Sequence, residues 1–322
     1  MVEVFNQITK EIKEHDTIFI MGHQEIDFDA LGSALCLYEI VSKFEKDCYL
    51  FLDRPITSMD QSIQNAFEKL KPLSIQLLLG HNYKKKIGKN PLIIVVDTHK
   101  YERVAYPKLL EQIKDVIVID HHIKGNGYIK DTIMSYMNSS LSSVVEFMVH
   151  YAKYLNVELP PIISSIMLAG ISVDTNEYRM KTTDATFEAS SLLMKMGADN
   201  IQKLEFMRET KEDYLKRLDF VKKSDIVKDG FALCMMDEQI VQAKDLAIIS
   251  ESLLQFKKIN AAFTIGRLDD DIVGISARSL GDINVEEMME ALGGGGHYHE
   301  AACQLKGISL IEAKHKLMDI IR

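Results

Sequence analysis

Val116-Ile117-Val118-Ile119-Asp120-His121-His122 is a short apolar, β-branched run that ends on one acid and two imidazoles. A run of this length between polar neighbours reads as a buried strand. Moving outward, the same form recurs. Pro91–Val96 runs into Asp97-Thr98-His99, and Thr17–Met21 is followed by His23-Gln24-Glu25-Ile26-Asp27-Phe28-Asp29. Between these strands the sequence turns helical over residues 30–41 and 142–151. Residues 162–169 read as an apolar helix leading into Gly170-Ile171-Ser172-Val173-Asp174. Alternating strands and helices of this length predict an α/β fold whose mostly parallel sheet carries helices on both faces.

Past Asp174, residues 183–196 predict a helix that Thr183 caps and Gly197 stops. Residues 200–223 are charged and helical without a strand signal, the pattern of a helical linker. Strand-like runs return at 231–235, 260–265 and 272–277. A helix over 285–292 then leads into Gly293-Gly294-Gly295-Gly296. The expected organisation is a domain over 1–199, a linker over 200–225 and a smaller α/β domain over 226–322.

The 322 residues are 47% hydrophobic and 26% charged, enough apolar material for a core in each domain. The net charge of −9 excludes a non-specific DNA coater, which needs a basic face. No apolar run approaches 18 residues, and the first residues lack a basic segment followed by an apolar one, so no membrane span or signal peptide is expected. Cys36, Cys48, Cys234 and Cys303 form no paired motif, which argues against a disulfide framework or thiolate zinc site and for a reducing, cytoplasmic setting.

Ligands of open parallel sheets bind beyond the carboxyl ends of the strands. Four clusters terminate apolar runs: residues 23–29, 97–99, 120–122 and Asp174. Gathered on one rim, so many carboxylates repel one another unless cations neutralise them. Carboxylates with imidazoles and no thiolate suit Mn²⁺ or Mg²⁺, and the imidazoles favour Mn²⁺. Two such ions about 3.5–4 Å apart activate water and clamp a phosphate. The four glycines permit close approach of backbone to a ligand and an anion-binding nest of N–H groups. Neither a P-loop nor a dinucleotide fingerprint is present.

In order and spacing, His23-x-x-x-Asp27-x-Asp29, Asp97-Thr98, Asp120-His121-His122 and Asp174 resemble the motifs of the DHH phosphoesterase superfamily. Residues 278–285, reading Arg-Ser-Leu-Gly-Asp-Ile-Asn-Val, and the run Gly293–Gly296 with His297 resemble its DHHA1 substrate domain. The resemblance covers nearly the whole chain. It is greatest to the catalytic portion of cyclic di-AMP phosphodiesterases.

That resemblance implies a set of roles. His23, Asp27 and Asp97 would hold one metal, and Asp29, Asp97, His121 and Asp174 the other, with Asp97 bridging. The ions would be two Mn²⁺, with Mg²⁺ or Co²⁺ as substitutes. His122 would face the scissile phosphate as a donor, with Asp120 orienting an imidazole from behind. Arg278 would pair with a phosphate and Ser279 would line the same site. Gly295, Gly296 and His297 would contact the far end of the nucleotide, and Ser142, Ser143 and Glu146 would open a helix beside the site. The implied activity is Mn²⁺-dependent hydrolysis of cyclic di-AMP or linear pApA to mononucleotides. The alternatives are a short-oligoribonucleotide exonuclease or 3′-phosphoadenosine 5′-phosphate phosphatase, and then a non-catalytic nucleotide sensor.

The partner is then a nucleotide or dinucleotide rather than a long nucleic acid, with a homodimer and a cytoplasmic location as further expectations. The chain would be free-standing or the cytosolic catalytic part of a membrane-anchored protein. Two departures stand out. Gln24-Glu25-Ile26 lacks the proline many relatives carry before Asp27, and Glu300 stands where many cyclic di-AMP relatives have Asn.

Overall fold

The computed structural model describes residues 1–321, and the side chain of His297 falls outside that description. The chain divides into two compact units, Met1–Arg208 and Glu209–Arg322. The first is built on six parallel strands: β1 (Thr17–Met21), β2 (Asp47–Leu52), β3 (Leu77–Leu79), β4 (Pro91–Val96), β5 (Val116–Asp120) and β6 (Met134–Met137). Their order is β3-β2-β1-β4-β5-β6. The chain therefore reverses its direction of sheet growth between β1 and β4, and such a reversal opens a crevice at the carboxyl ends of those two strands.

Strand side chains alternate between two buried faces. Ile18, Ile20, Leu92, Ile94, Ile117 and Ile119 enter one core with the α-helices α1 (Val2–Glu14), α2 (Phe28–Ser42), α3 (Gln61–Leu70), α5 (Val144–Tyr154), α6 (Pro161–Asp174), α7 (Asp184–Lys195) and α8 (Asn200–Phe206). Phe19, Met21, Ile93, Val95 and Val118 enter the other, which is covered by 3₁₀ turns and the one-turn helix α4 (Pro107–Leu110). Burial on both sides is why the strands are almost uninterrupted apolar runs. Asp174 closes a 14-residue helix and does not follow a strand. Pro161 starts that helix without losing a hydrogen bond. Gly170 does not break it, because a Cβ there would lie 2.8 Å from the Phe28 carbonyl oxygen and 3.0 Å from Asp29 Cα, so glycine is what lets α6 pack tightly on α2.

The expected linker region holds two helices, one in each unit. α8 contacts α3 and α6, and α9 (Lys211–Lys222) contacts a strand and a helix of the second unit. That unit is a mixed sheet of β7 (Asp225–Lys228), β8 (Phe231–Ile240), β9 (Ala261–Asp269), β10 (Ile272–Ser279), β11 (Gly295–His297) and β12 (Glu300–Lys306), in the order β11-β12-β10-β9-β8-β7. β8 and β9 pair in parallel across the crossover helix α10 (Ala243–Leu253), and the other neighbours are antiparallel. α9 and α10 cover one face; α11 (Val285–Glu290) and α12 (Leu310–Ile321) cover the other.

The glycine run is ordered chain. Gly295 and Gly296 pair with Ala302 and Ala301 in an edge hairpin. A Cβ on Gly294 would fall 2.2 Å from the Ala302 carbonyl oxygen, so the glycine is imposed by contact with the next strand.

Candidate metal centre

The crevice between β1 and β4 is where the acids and imidazoles gather. His23 leaves the end of β1, and its Nε2 lies 3.4 Å from Asp27 Oδ2 and 3.4 Å from Asp97 Oδ2. His121, just beyond β5, places Nε2 3.4 Å from Asp97 Oδ1, 3.3 Å from Asp174 Oδ2 and 3.9 Å from Asp29 Oδ2. Asp97 thus stands between two groups, turning one oxygen to each. His23, Asp27 and Asp97 each offer one donor atom, all within 4.8 Å of one another, and so do Asp29, His121 and Asp174. A third combination joins His122 to Asp97 and His121.

The imidazoles are set up as ligands. His23 Nδ1–H donates to the Gln24 carbonyl at 2.7 Å, and His121 Nδ1–H is directed at the Leu141 carbonyl at 3.4 Å. In both rings this leaves the Nε2 lone pair facing the carboxylates. Asp97 Oδ1 is fully buried and accepts no hydrogen bond. An oxygen of this kind is costly unless a cation meets it. Oxygen and imidazole donors without thiolate are the chemistry of hard to borderline divalent ions, so the residues present fit them.

The electrostatics carry the same message. Burial and the charge of Asp97 push the Asp29 carboxyl well above its usual value, and burial and the charge of Asp29 do the same to Asp174. Burial also acts to raise Asp97, but the His121 and His23 rings beside it outweigh this and hold it low. Burial lowers His23 and His121, yet Asp27 and Asp97 overcome this at His23, and Asp97 and Asp174 overcome it at His121, so both rings are raised.

A sign for pH dependence follows. Raised histidines contribute stability that is complete below about 6.5 and is lost as pH climbs through their folded values. Raised carboxyls are penalised once ionised, and the penalty lifts as pH falls through their folded values. Asp97, being held low, keeps its contribution until pH falls below the usual carboxylate range. Chelator-treated protein should therefore melt at least about 2 °C higher at pH 6 than at pH 8, a shift that corresponds to a fraction of a kcal/mol up to about 1 kcal/mol in a unit this size. With saturating Mn²⁺ the order should reverse, because protons compete for the ligands. Equal midpoints at the two pH values in chelator would contradict the assignment.

Asp27 and Asp29 are placed by the start of α2. Asp27 is its N-cap, accepting from the Ala30 N–H at 3.0 Å. Asp29 is the second residue of that helix, fully buried, and accepts from the N–H groups of Val144 and Val145 at 2.8 and 2.7 Å, the start of α5. A helix N-terminus is favourable for a carboxylate. Ser142 and Ser143 serve that same helix start. Ser142 Oγ donates to Glu146 at 2.5 Å, Ser143 Oγ accepts from the Glu146 N–H at 3.2 Å, and Glu146 also accepts from Thr186 at 2.9 Å. Both serines are fully buried, so their hydroxyls hold α5 in place and offer nothing on the surface to a substrate. Behind Asp174, Asn176, Glu177 and Tyr178 follow one another in the left-handed region. Lys203 of α8 braces this turn with bonds of 2.9 Å to Ser172 Oγ and to Glu177 Oε2.

Asp120 lies fully buried beneath His122. Its Oδ1 accepts from the His122 Nδ1–H at 2.7 Å and the His122 backbone N–H at 3.1 Å. Its Oδ2 is 2.5 Å from His99 Nδ1, and His99 Nε2 accepts from the Gly125 N–H at 3.1 Å. Burial raises the Asp120 carboxyl, but bonds from His122 and His99 hold it far below the usual range. In the sequence His99 stands out only as the third member of the 97–99 cluster, and no local spacing points to Asp120 as its partner.

In the second unit, Arg278 lies on β10 with Nε 3.4 Å from Glu251 Oε1 and Nη1 3.0 Å from the Ala277 carbonyl. Ser279 is fully buried, donating to the Ile283 carbonyl at 2.7 Å and lying 3.2 Å from His299 Nδ1, so it shapes the turn that follows β10. Gly295 and Gly296 form the edge strand β11, and a Cβ on Gly295 would meet nothing within 4 Å. The expected contact from the His297 side chain lies outside the described residues.

A six-stranded parallel sheet with this acid and imidazole cluster at its reversal point, followed by a mixed-sheet unit with a glycine hairpin, defines a class of phosphoesterases. The DHH family N-terminal domain model matches residues 17–171 and the DHHA1 domain model matches residues 229–322. The chain belongs to the DHH/DHHA1 family. It is 34% identical over 325 residues to the cyclic-di-AMP phosphodiesterase GdpP of Bacillus subtilis, an alignment covering 99% of this chain and 49% of that protein. The chain thus spans about half the length of that relative. It is 22% identical over 311 residues to the bifunctional oligoribonuclease and PAP phosphatase NrnA of Thermus thermophilus, covering 95% and 89% of the two chains. The fold matches that of an exopolyphosphatase-related protein from Bacteroides fragilis with a TM-score of 0.82 at 18% identity, over 99% of this chain and 96% of that one. Among the described residues, no helix is long and apolar enough to cross a membrane.

Proposed function

We propose that this chain is a metal-dependent phosphodiesterase that hydrolyses cyclic di-AMP, the linear dinucleotide pApA, or both, to mononucleotides. The observation that carries the reading is the position of Asp97 between two donor groups, with His23 and Asp27 on one side and Asp29, His121 and Asp174 on the other. The relative named a cyclic-di-AMP phosphodiesterase, aligned along nearly the whole chain, supports the substrate class.

His23, Asp27 and Asp97 would hold one divalent ion and Asp29, Asp97, His121 and Asp174 a second. Mn²⁺ is the best fit to mixed oxygen and imidazole donors, with Mg²⁺ or Co²⁺ able to replace it. When bound, a pair of such ions lowers the pKa of water and offsets charge on phosphoryl oxygens. Asp97 brings one oxygen to each group and so fixes their spacing. His122 gives its Nδ1–H to Asp120, which orients the ring, and with a second proton on Nε2 it would donate from there to a phosphate oxygen. Arg278 offers a planar fork suited to a second phosphate. The β11 backbone can approach the nucleotide closely because its glycines present no side chain.

A second reading is short-oligoribonucleotide or 3′-phosphoadenosine 5′-phosphate hydrolysis. It is supported by the oligoribonuclease-named relative, of which this chain covers 89%; Glu300, opposite Arg278 in the strand register, departs from the Asn of many cyclic di-AMP relatives. Incubating the protein and Mn²⁺ with cyclic di-AMP, pApA, 3′-phosphoadenosine 5′-phosphate, a five-base RNA and pyrophosphate separates these readings by product and rate. No turnover of any of them with Mn²⁺ would sink both and leave a nucleotide sensor. Arg278→Ala should lower kcat/KM for the preferred dinucleotide by about tenfold or more, as loss of one charge-assisted contact does, while bound Mn²⁺ stays unchanged. An unchanged kcat/KM would remove Arg278 from the site.

A further inference from the structure

His99 has no place in the ligand groups, yet it is almost fully buried and both of its ring nitrogens are engaged. Because Nε2 accepts the Gly125 N–H, the proton of a neutral ring must sit on Nδ1, and Nδ1 faces Asp120 Oδ2 at 2.5 Å. Asp120 is therefore clamped between two imidazoles, with His99 on Oδ2 and His122 on Oδ1. The His99 carbonyl also accepts the Ile129 N–H at 2.8 Å, so the same residue ties down the far end of the loop that begins with His121 and His122.

We propose that His99 is a positioning residue for His122, acting through Asp120. This deepens the hydrolase reading above and rests on it for its kinetic consequence. A buried carboxylate has to satisfy both oxygens. Without the His99 donor, Oδ2 is left bare, and the carboxylate lowers its energy by rotating and sharing the His122 N–H groups between its two oxygens. That rotation loosens the contact that holds the proton of His122 on Nδ1. Partners of this outer kind typically change activity by about 10–100-fold when removed. The loop beyond His122 gains freedom at the same time, because Gly125 loses its acceptor.

Two near-isosteric substitutions separate the two ends of the ring. Asn places an N–H near Nδ1, keeping the donor to Asp120 and giving up Gly125. Gln places a polar atom near Nε2, keeping Gly125 and giving up Asp120. With bis(p-nitrophenyl) phosphate and Mn²⁺ as the probe, His99→Gln should lose roughly 10–100-fold in kcat, with little change in KM or in bound Mn²⁺. His99→Asn should recover most of that loss. Equal kcat values in the two variants would overturn the proposal, since a space-filling role does not distinguish them.

Long-range ¹H–¹⁵N spectra of histidine-labelled protein give a readout independent of turnover. His99 and His122 should both carry their proton on Nδ1 in the wild type, and His99→Gln should remove the single-tautomer signature of His122. A wild-type His99 protonated on Nε2 would overturn the proposal. That spectrum decides by itself should a variant fail to fold. Absence of turnover in the wild type would count against the hydrolase reading alone.

Discussion

An Asp97→Asn protein should fold normally, bind Mn²⁺ poorly at both positions and lose at least about 10³-fold in Mn²⁺-dependent hydrolysis. Bound divalent ions supply several kcal/mol of charge stabilisation to phosphoryl transfer, and about 4 kcal/mol corresponds to about 10³-fold in rate. Asp97 is the carboxylate that faces both donor groups, one oxygen towards His23 and the other towards His121. An amide keeps the shape but offers one oxygen and no charge. The substitution is gentle on the backbone, because Asp97 adopts a left-handed conformation, φ 59°, which Asn tolerates as well as Asp. Metal content of the purified variant and its single-turnover rate are the measurements. Hydrolysis near the wild-type rate would show that Asp97 does not join the two groups.

Asp29→Ala should have a different signature, in which stability and activity fall together. Asp29 is the buried acceptor for the first N–H groups of α5, at Val144 and Val145. A buried donor left unpaired costs about 1–3 kcal/mol, so stranding both N–H groups should cost roughly 3 kcal/mol. For a unit of this size that is a fall of about 6–12 °C in Tm. The loss should persist in chelator, which separates it from loss of bound metal. Asp29→Asn should retain part of the stability, since one amide oxygen can still accept. A Tm within about 1 °C of wild type in Asp29→Ala would mean that α5 finds its acceptors elsewhere.

The side chains that gather in the crevice were more legible than the elements that carry them. Strands β1, β4 and β5 are buried on both faces, so each is an unbroken apolar run, and the first ionisable residue after each marks its end. The three neighbouring strands were harder to find. β3 and β6 have three and four residues, and β2, although it too runs into an acid at Asp53, passes directly into the turn Asp53-Arg54-Pro55. Asp174 lies 3.3 Å from His121 Nε2, although the element that delivers it is a helix, whose extension past residue 169 the sequence pattern does not reveal. What sequence could not display was the partner of each polar group. Ser142 and Ser143 look available in a string of letters, and only packing reveals that Glu146 and the cap of α5 use them. The bond from His99 to Asp120 spans 21 positions, beyond any local spacing rule. The glycine run was read as backbone that can come near a ligand. Its pairing with Ala301 and Ala302 shows that it first comes near its own neighbouring strand.

The brace from Lys203 to the turn behind Asp174 bears on how this unit can be inherited or transplanted. The family match stops at residue 171, three positions short of Asp174, while the compact unit continues to Arg208. The intervening stretch contains the last carboxylate of the cluster, the left-handed turn after it and the lysine that braces the turn. Phe206 stacks on Phe28 at 6.0 Å, beside Asp29. A version of this unit cut back to the matched residues would keep the sheet and its first helices but lose Asp174, the turn behind it and the lysine that props that turn.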